Sequence, residues 1–181
     1  MRVTVFGSAR VGEDSPEYAD ARRLGAILAK RGDVPVSGGY GGIMEAVSRG
    51  AHEGGGQVIG VTMAPWTERL LPNRYLSEEK SARTLFERLE ALLESDALIA
   101  LPGGAGTLAE VALAWNLHQM DLTRPKPVVL VGLGWGRILD AFRDNLIIDR
   151  RDLAMLTHVA MVDEAVAALE RLASAEGRWY G

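Results

Sequence analysis

The fold of this chain is decided by residues 96–110, which read DALIALPGGAGTLAE. The segment begins with a short apolar run that is typical of a buried strand. A turn rich in glycine and proline follows, and the pattern then becomes helical. This stretch therefore predicts a strand that passes through a tight turn directly into a helix.

The same alternation of short apolar runs and helical patterns continues along the whole chain. Such alternation is typical of a parallel sheet covered by helices on both faces. We therefore predict an α/β fold, a doubly wound, mainly parallel sheet flanked by helices, in a single domain spanning residues 1–181. Residues 65–79 are irregular and predict a mobile flap beside the sheet. The predicted strands are Arg2–Phe6, Val34–Ser37, Gln57–Val61, Asp96–Leu101, Pro127–Val131 and His158–Met161, and the predicted helices begin after Ser15 and near Gly42, Ser81, Thr107, Gly136 and Val162.

Composition narrows the range of functions. The chain has 181 residues, 48% of them apolar and 24% charged, with a formal net charge of -4. This balance argues against a surface that neutralises many phosphates, so we expect no nucleic-acid partner. No apolar run reaches the roughly 18 to 20 residues of a membrane span, and the first residues already read as a strand, so we expect neither membrane contact nor secretion. The absence of cysteine excludes disulfides and thiolate catalysis and is typical of a cytoplasmic protein.

Neither a metal nor an organic cofactor is predicted. The three histidines are scattered along the sequence and lack the spacing of metal ligands. The lysines are Lys30, Lys80 and Lys126, and none has a sequence setting typical of a pyridoxal-phosphate Schiff base.

A second glycine-rich turn, SGGYGGIME at Ser37–Glu45, also joins a predicted strand to a predicted helix. Glycines let the backbone approach a ligand closely, and a helix N-terminus offers unpaired N–H groups to an anion. Parallel sheets bind ligands at the carboxyl ends of their strands, where both turns lie. Gly39 and Gly41 are therefore candidate contacts for a substrate phosphate. The alternative is that these glycines only permit a tight turn.

Residues 96–110 resemble the LOG ("lonely guy") family of cytokinin riboside 5′-monophosphate phosphoribohydrolases, once mislabelled as lysine decarboxylases, whose hallmark is PGGxGTxxE. Every fixed position of the hallmark is present. The resemblance extends to the Gly7-Ser8 turn, to GGIMEAVSRGA at Gly41–Ala51, and to Trp115 and Lys126-Pro127. It implies a Rossmann-like fold and hydrolysis of the N-glycosidic bond in an adenosine 5′-monophosphate derivative, which releases the free base and ribose 5-phosphate.

The resemblance assigns roles within the second half of the quoted stretch. Cleavage of the N-glycosidic bond builds oxocarbenium character on the ribose, which a nearby carboxylate stabilises. Glu110 lies one turn into the predicted helix and is the candidate catalytic carboxylate, facing the ribose and the attacking water. The candidate phosphate contacts are the backbone N–H groups of Gly103, Gly104, Ala105, Gly106 and Thr107, together with the Thr107 hydroxyl.

A structural alternative exists for the same residues. Thr107-Leu108-Ala109-Glu110 is also a T-x-x-E capping box, in which the threonine caps a helix and the glutamate bonds back to the cap N–H. Capping boxes are common helix starts, and the sequence alone does not separate capping from catalysis. The surrounding PGG residues and the family resemblance favour catalysis.

The second catalytic candidate is Arg88, in the stretch Leu85-Phe86-Glu87-Arg88-Leu89. The family carries an arginine here within a pattern resembling M-H-x-R-K, of which this chain keeps only the arginine. Leu85, Arg88 and Leu92 share one helical stripe, so Arg88 borders the face that packs on the sheet. Its guanidinium can bind phosphate or stabilise charge near the leaving base. The alternative is a structural ion pair with a glutamate on its own helix.

Four further residues are weaker candidates. Ser8 and Arg10 follow the first strand and can reach an adenine or a phosphate, although a turn-capping serine and a solvated arginine fit equally well. Met63 follows the third strand and is either a substrate contact or a core residue. Arg83 is either part of the site or a solvated helix residue.

Three functions stay open at this point. A hydrolase of AMP or of an N6-substituted AMP such as isopentenyl-AMP is favoured, because both Glu110 and Arg88 are retained. A non-catalytic carrier of a phosphorylated pterin or nucleotide, similar to molybdenum cofactor carriers, is the alternative. An inactive nucleotide sensor is the third, because Leu89 replaces the family lysine. The resemblance also implies a homodimer or higher oligomer, with Trp115, Leu117 and Met120 in the core or facing the partner.

Overall fold

A computed structural model describes residues 1–66, 69–120, 122 and 126–175, with side chains up to residue 172. Within these residues a seven-stranded sheet is formed, in which every pair of neighbouring strands is parallel. Its spatial order is β4-β3-β2-β1-β5-β6-β7. The strands are β1 (Arg2–Phe6), β2 (Val34–Ser37), β3 (Ile59–Met63), β4 (Glu78–Ala82), β5 (Ala97–Ala100), β6 (Val128–Val131) and β7 (Leu156–Val159).

Helices connect the strands and cover both faces of the sheet. A short 3-10 turn at Ala64–Trp66 follows β3. The helices are α1 (Pro16–Lys30), α2 (Ile43–Glu53), α3 (Leu85–Leu93), α4 (Ala105–Gln119), α5 (Leu133–Asn145), α6 (Arg150–Leu153) and α7 (Val162–Ala175). As predicted, α1 begins with proline at its first position and Ser15 as its cap, whose Oγ accepts from the Tyr18 N–H at 3.2 Å.

The order of the strands fixes where a ligand can bind. The chain starts in the middle of the sheet at β1, runs outward to β4, and then returns to β5 on the other side of β1. The connections on the two sides diverge at this switch point, which opens a crevice at the carboxyl ends of β1 and β5. The predicted α/β, doubly wound class is therefore confirmed.

Two apolar layers hold the helices to the sheet. One cluster joins alternate residues of the central strands to α1, α2 and α7, and the other joins the opposite face to α3, α4 and α5. On the first face α1 and α2 cross with their backbones nearly in contact. A Cβ at Gly50 would lie 1.8 Å from the Arg22 carbonyl oxygen, and one at Gly25 would lie 2.1 Å from the Val47 carbonyl oxygen. This close crossing fixes α2, and with it the glycine turn from which α2 begins.

Several predicted boundaries were wrong. The sequence did not predict β4, which begins at the end of the segment predicted to be irregular and extends past it. Its residues, EEKSA, form an exposed edge strand and lack the alternation of a half-buried strand. The segment's Thr67 and Glu68 lie outside the described residues. The four-residue helix α6 was also missed. The boundaries of β3 and β7 are shifted by two residues from the prediction, and α3, α4 and α5 begin at Leu85, Ala105 and Leu133 rather than near Ser81, Thr107 and Gly136.

Candidate functional site

Three turns meet at the carboxyl edge of the sheet. The Ser8 N–H, after β1, donates to the Pro102 carbonyl oxygen at 3.1 Å, after β5. The Ser8 carbonyl oxygen accepts from the Ile43 N–H at 2.9 Å, at the start of α2. These two hydrogen bonds join both glycine-rich turns to the loop after β1. The turns singled out in the sequence therefore share one edge of the fold.

Arg88 is buried at the centre of this edge, with only 7% of its surface exposed. It lies in the first turns of α3, on the face toward the sheet as predicted. Its Nε donates to the Val61 carbonyl oxygen of β3 at 2.9 Å, and its Nη2 donates to the Gly38 carbonyl oxygen after β2 at 3.3 Å. A Cβ at Gly38 would lie 2.0 Å from that Nη2, so glycine is required here by space. The guanidinium thus ties two strand ends together.

Glu110 of α4 lies against the remaining side of this guanidinium. Its Oε1 is 3.6 Å from Arg88 Nη1, and its side chain is only 14% exposed. Burial raises the pKa of Glu110 to about 7, because desolvation outweighs the attraction of the Arg88 charge. Burial also lowers the pKa of Arg88, which the Glu110 carboxylate partly offsets. The site therefore holds a carboxyl group that changes charge near neutral pH beside a fixed cation.

The structure decides against both structural alternatives. The cap residue of α4 is Gly104 and no side chain caps this helix, so Thr107 lies inside the helix and the T-x-x-E capping box is not formed. A side-chain cap does start α3, where Thr84 Oγ1 accepts from the Glu87 N–H at 3.1 Å. Arg88 does not pair with a glutamate of its own helix, because its ionic partner is Glu110, and Glu87 pairs with Arg83 at 3.0 Å.

The PGG turn presents its backbone to solvent. Residues 102–106 are exposed, and a Cβ at Gly104 or Gly106 would meet nothing within 4 Å. Gly103 is different, since a Cβ there would lie 2.1 Å from Thr107 Oγ1. The first N–H groups of a helix have no partner within the helix, and at α4 these groups belong to residues of this turn. These N–H groups are open to an anion, and the phosphate contacts of residues 103–107 stay a prediction.

The glycine turn after β2 has a different character. Gly39 is buried, its N–H donates to Ser37 Oγ at 3.2 Å, and its carbonyl oxygen accepts from the Asn73 N–H at 2.8 Å. Its φ of +80° requires glycine. Gly41 is half-buried, and the nearest atom to a Cβ there would be Glu45 Oε2 at 3.8 Å. The protein itself uses the backbone groups of Gly39, and the substrate contacts of both glycines stay predictions.

The weaker candidates lie in ordinary structural roles. The Ser8 hydroxyl accepts from the Arg10 N–H at 3.1 Å, which is a turn-capping contact. Met63 is buried, and its N–H donates to Tyr40 Oη at 2.8 Å. Arg83 is exposed and pairs with Glu87. Substrate contacts by Ser8 and Met63 stay predictions.

Sequence reasoning missed two aromatic residues at this edge. Trp66, at the end of the 3-10 turn, lies with its ring centroid 5.9 Å from Arg88 Cζ. The centroid of the Tyr40 ring is 5.8 Å from that of Trp66. No sequence pattern pointed to Trp66, because it lies in the segment that was predicted to be irregular. Both rings come together with Arg88 only through the fold.

In the part of the chain that the structure describes, no group of three or more His, Cys, Asp or Glu residues is placed to hold a metal ion. Among the described helices, none combines the length and the apolar character needed to cross a bilayer.

Comparison with known proteins places the chain in a family. Residues 44–171 match the family model described as possible lysine decarboxylase. A probable cytokinin riboside 5′-monophosphate phosphoribohydrolase of Oryza sativa subsp. japonica is 38% identical over 81% of this chain and 60% of its own length. A cytokinin riboside 5′-monophosphate phosphoribohydrolase of Arabidopsis thaliana is 33% identical over 81% of this chain and 68% of its own length. The chain belongs to this family, which is the LOG family.

Solved structures confirm the fold. The structural-genomics structure named TM1055 has a TM-score of 0.75 at 30% identity, covering 94% of this chain and 98% of the other. The molybdenum cofactor carrier protein of Chlamydomonas reinhardtii has a TM-score of 0.75 at 28% identity, covering 96% and 98%. The same backbone is thus shared by proteins with differently described functions, so the side chains of the site must decide between them.

The raised pKa of Glu110 makes stability depend on pH. The carboxyl ionises near its ordinary value of 4.5 in the unfolded chain but at about 7 in the folded one. The folded state therefore holds more protons between these values, and stability falls as the pH rises through this window. Because Gln does not titrate, the free energy of unfolding of the wild type, measured relative to Glu110→Gln, should fall by about 2 to 3 kcal/mol from pH 5 to pH 8.

Urea unfolding at both pH values provides the measurement. Glu90→Gln, the same substitution on the exposed side of α3, is the matched control for the loss of a surface carboxylate. A pH-independent difference for Glu110→Gln would show that this carboxyl is not desolvated in the folded protein.

Proposed function

We propose that this protein is a hydrolase that cleaves the N-glycosidic bond of adenosine 5′-monophosphate derivatives, either AMP or an N6-substituted AMP, to the free base and ribose 5-phosphate. The observation that carries the proposal is the buried Glu110 carboxyl beside Arg88, next to the exposed PGG turn. Membership of the LOG family supports the same reaction class.

In the proposed binding mode, the PGG turn binds the phosphate of the substrate and Glu110 lies against its ribose. The exposed turn at residues 103–106, together with the first N–H groups of α4 as far as the buried Thr107, receives the 5′-phosphate, because helix N-termini favour anions. The ribose then lies toward Glu110, one turn further along α4. This places the carboxylate against the carbon at which positive charge develops as the C1′–N bond breaks.

The chemistry requires that a water molecule adds to the ribose. A water oxygen bonds to C1′ as the C1′–N bond breaks, and the bonding electrons go to the base nitrogen. One proton of the water passes to Glu110 and from there to the base, while the other stays on the new C1′ hydroxyl. The ionised carboxylate stabilises the oxocarbenium ion and takes a proton from the water. A pKa of about 7 suits a group that takes and returns a proton at neutral pH.

Arg88 has a narrower role in this proposal than the sequence suggested. Its Nε and Nη2 already donate to Val61 and Gly38, so a bidentate grip on phosphate through these two atoms would require breaking both hydrogen bonds. Its Nη1 faces Glu110 at 3.6 Å. Its charge instead keeps Glu110 partly ionised and holds the carboxylate in place. Leu89 is half-buried beside it on α3 and contributes no charge to the site.

A second candidate function is a non-catalytic carrier of a phosphorylated pterin. The specific observation behind it is the structural match to the Chlamydomonas carrier over 96% of this chain. An exposed phosphate-binding turn serves a carrier as well as an enzyme. A buried carboxyl with a raised pKa has no evident use in a carrier, and this difference favours the hydrolase.

Replacing the carboxylate tests the reaction directly. Glu110→Gln keeps the size of the side chain but removes the base, so release of free base from AMP and from N6-isopentenyl-AMP should fall by about 100- to 10,000-fold. Mass spectrometry of free base and ribose 5-phosphate measures this. Glu90→Gln, the same substitution at an exposed position of α3, should retain full activity. Retention of a phosphorylated pterin without turnover of either nucleotide would instead establish the carrier.

The pH profile tests the role of Arg88. If ionised Glu110 is the base, kcat/KM for AMP rises with pH, with a midpoint at about pH 7. Arg88→Met removes the charge that favours ionisation, so the midpoint of this rise should move to higher pH while kcat falls. The phosphate of AMP titrates in the same range, but its titration is common to both enzymes, so the shift between them isolates Glu110. An unshifted midpoint would contradict the assignment.

We also propose a homodimer or higher oligomer. Exposed apolar side chains flank the site in sequence, including Leu85 and Phe86 at the start of α3 and Leu108 in α4, while Met120 is exposed at the end of α4. Apolar side chains grouped on a surface are typical of a protein interface. Sedimentation equilibrium should give at least twice the chain mass of 19.5 kDa, and Phe86→Glu should shift the equilibrium toward the monomer. A monomeric wild type at micromolar concentration would overturn this proposal.

A further inference from the structure

The indole of Trp66 is an exposed aromatic surface beside the buried ion pair. The 3-10 turn after β3 brings it to the carboxyl edge of the sheet, where 37% of its surface remains exposed. Arg88 Cζ lies 5.9 Å from the ring centroid, within the range of a cation–π contact. The same guanidinium contacts Glu110 at 3.6 Å. The indole and the carboxylate are therefore neighbours of one fixed group.

A rigid layer supports this indole. Tyr40, whose ring is tilted by 43° against that of Trp66, is only 5% exposed, and its hydroxyl oxygen accepts from the Met63 N–H at 2.8 Å. Asn73 Nδ2 donates to the Tyr40 carbonyl oxygen at 3.2 Å. Arg88 is anchored by its two carbonyl partners. An exposed ring on buried, hydrogen-bonded neighbours is prepared for a flat ligand before that ligand binds.

The sugar phosphate has no aromatic ring that could stack on the indole. The turn at residues 103–107 and Glu110 provide for the phosphate and the ribose, whereas an aromatic base provides a π face of matching shape. We infer that Trp66 is the wall against which the base of the nucleotide stacks. The inference rests on the proposed function for the identity of the ligand, and it adds the residue that distinguishes a nucleotide from a bare sugar phosphate.

This assignment has a consequence for specificity. Stacking accepts any aromatic base, because every base has a π face, so Trp66 selects for the presence of a base and not for its substituents. After cleavage, ribose 5-phosphate no longer shares this contact and is held only at the glycine turn. The substrate should therefore bind more tightly than this product, and the difference should depend on the ring at position 66.

Calorimetric titration with two ligands tests the inference. AMP and ribose 5-phosphate are titrated into Glu110→Gln protein, in which AMP is not consumed under the proposed function. Adding Trp66→Ala should weaken AMP binding by about 5- to 100-fold and change ribose 5-phosphate binding less than about twofold. Trp66→Leu, which keeps an apolar side chain without a ring, should behave like Trp66→Ala, whereas Trp66→Phe should retain most of the affinity. Leu71→Ala, at a position that is 82% exposed, should change neither the affinity for AMP nor that for ribose 5-phosphate.

The outcomes separate this inference from the proposed function. Selective loss of AMP affinity supports the stacking wall even if the wild type releases no base, in which case only the hydrolase proposal fails. Turnover of AMP with unchanged affinity in the Ala and Leu variants overturns the wall and leaves the hydrolase standing. Equal weakening of AMP binding and ribose 5-phosphate binding would show that Trp66 has only a structural role. Absence of AMP binding with Trp66 intact would overturn both the stacking wall and the hydrolase proposal.

Discussion

The buried charge of Arg88 is the constraint on which the rest of the site depends. An uncompensated charge in a protein interior costs several kcal/mol, so its surroundings must supply acceptors. They come from separate parts of the chain: the carbonyl groups of Val61 and Gly38 and the carboxylate of Glu110. Satisfying this one guanidinium therefore fixes the ends of β2 and β3 relative to α3 and α4.

The same geometry accounts for the unusually high pKa of Glu110. A separation of 3.6 Å between Nη1 and Oε1 is longer than a hydrogen bond, so the attraction of the cation is present without the additional stabilisation of a short bond. Burial then outweighs that attraction, and the pKa rises to about 7. A tighter ion pair would keep the carboxylate permanently ionised and hold it away from a proton. The looser contact leaves a group that can exchange one at neutral pH.

The sequence predicted the sheet well where strands are buried and poorly where they are exposed. The apolar runs of β1, β2 and β5 identified the central strands, but β4 lies at the edge with polar residues and carries no such signal. The T-x-x-E pattern at Thr107 indicated a helix start that lies three positions too late, since α4 is capped by Gly104. Motif residues Arg88 and Glu110 were identifiable. Trp66 was not, because its contact with Arg88 spans 22 residues and arises only from the fold.

The two glycine turns are similar in sequence, but glycine occupies them for different structural reasons. In the turn after β2, glycine is needed because the protein itself fills the space: a Cβ at Gly38 would collide with Arg88, and Gly39 needs a positive φ. In the turn after β5, Gly104 and Gly106 face open space, so no neighbour in the protein excludes a side chain. The first turn therefore accommodates the Arg88 guanidinium, whereas the second leaves its backbone exposed, as the proposed phosphate contact requires.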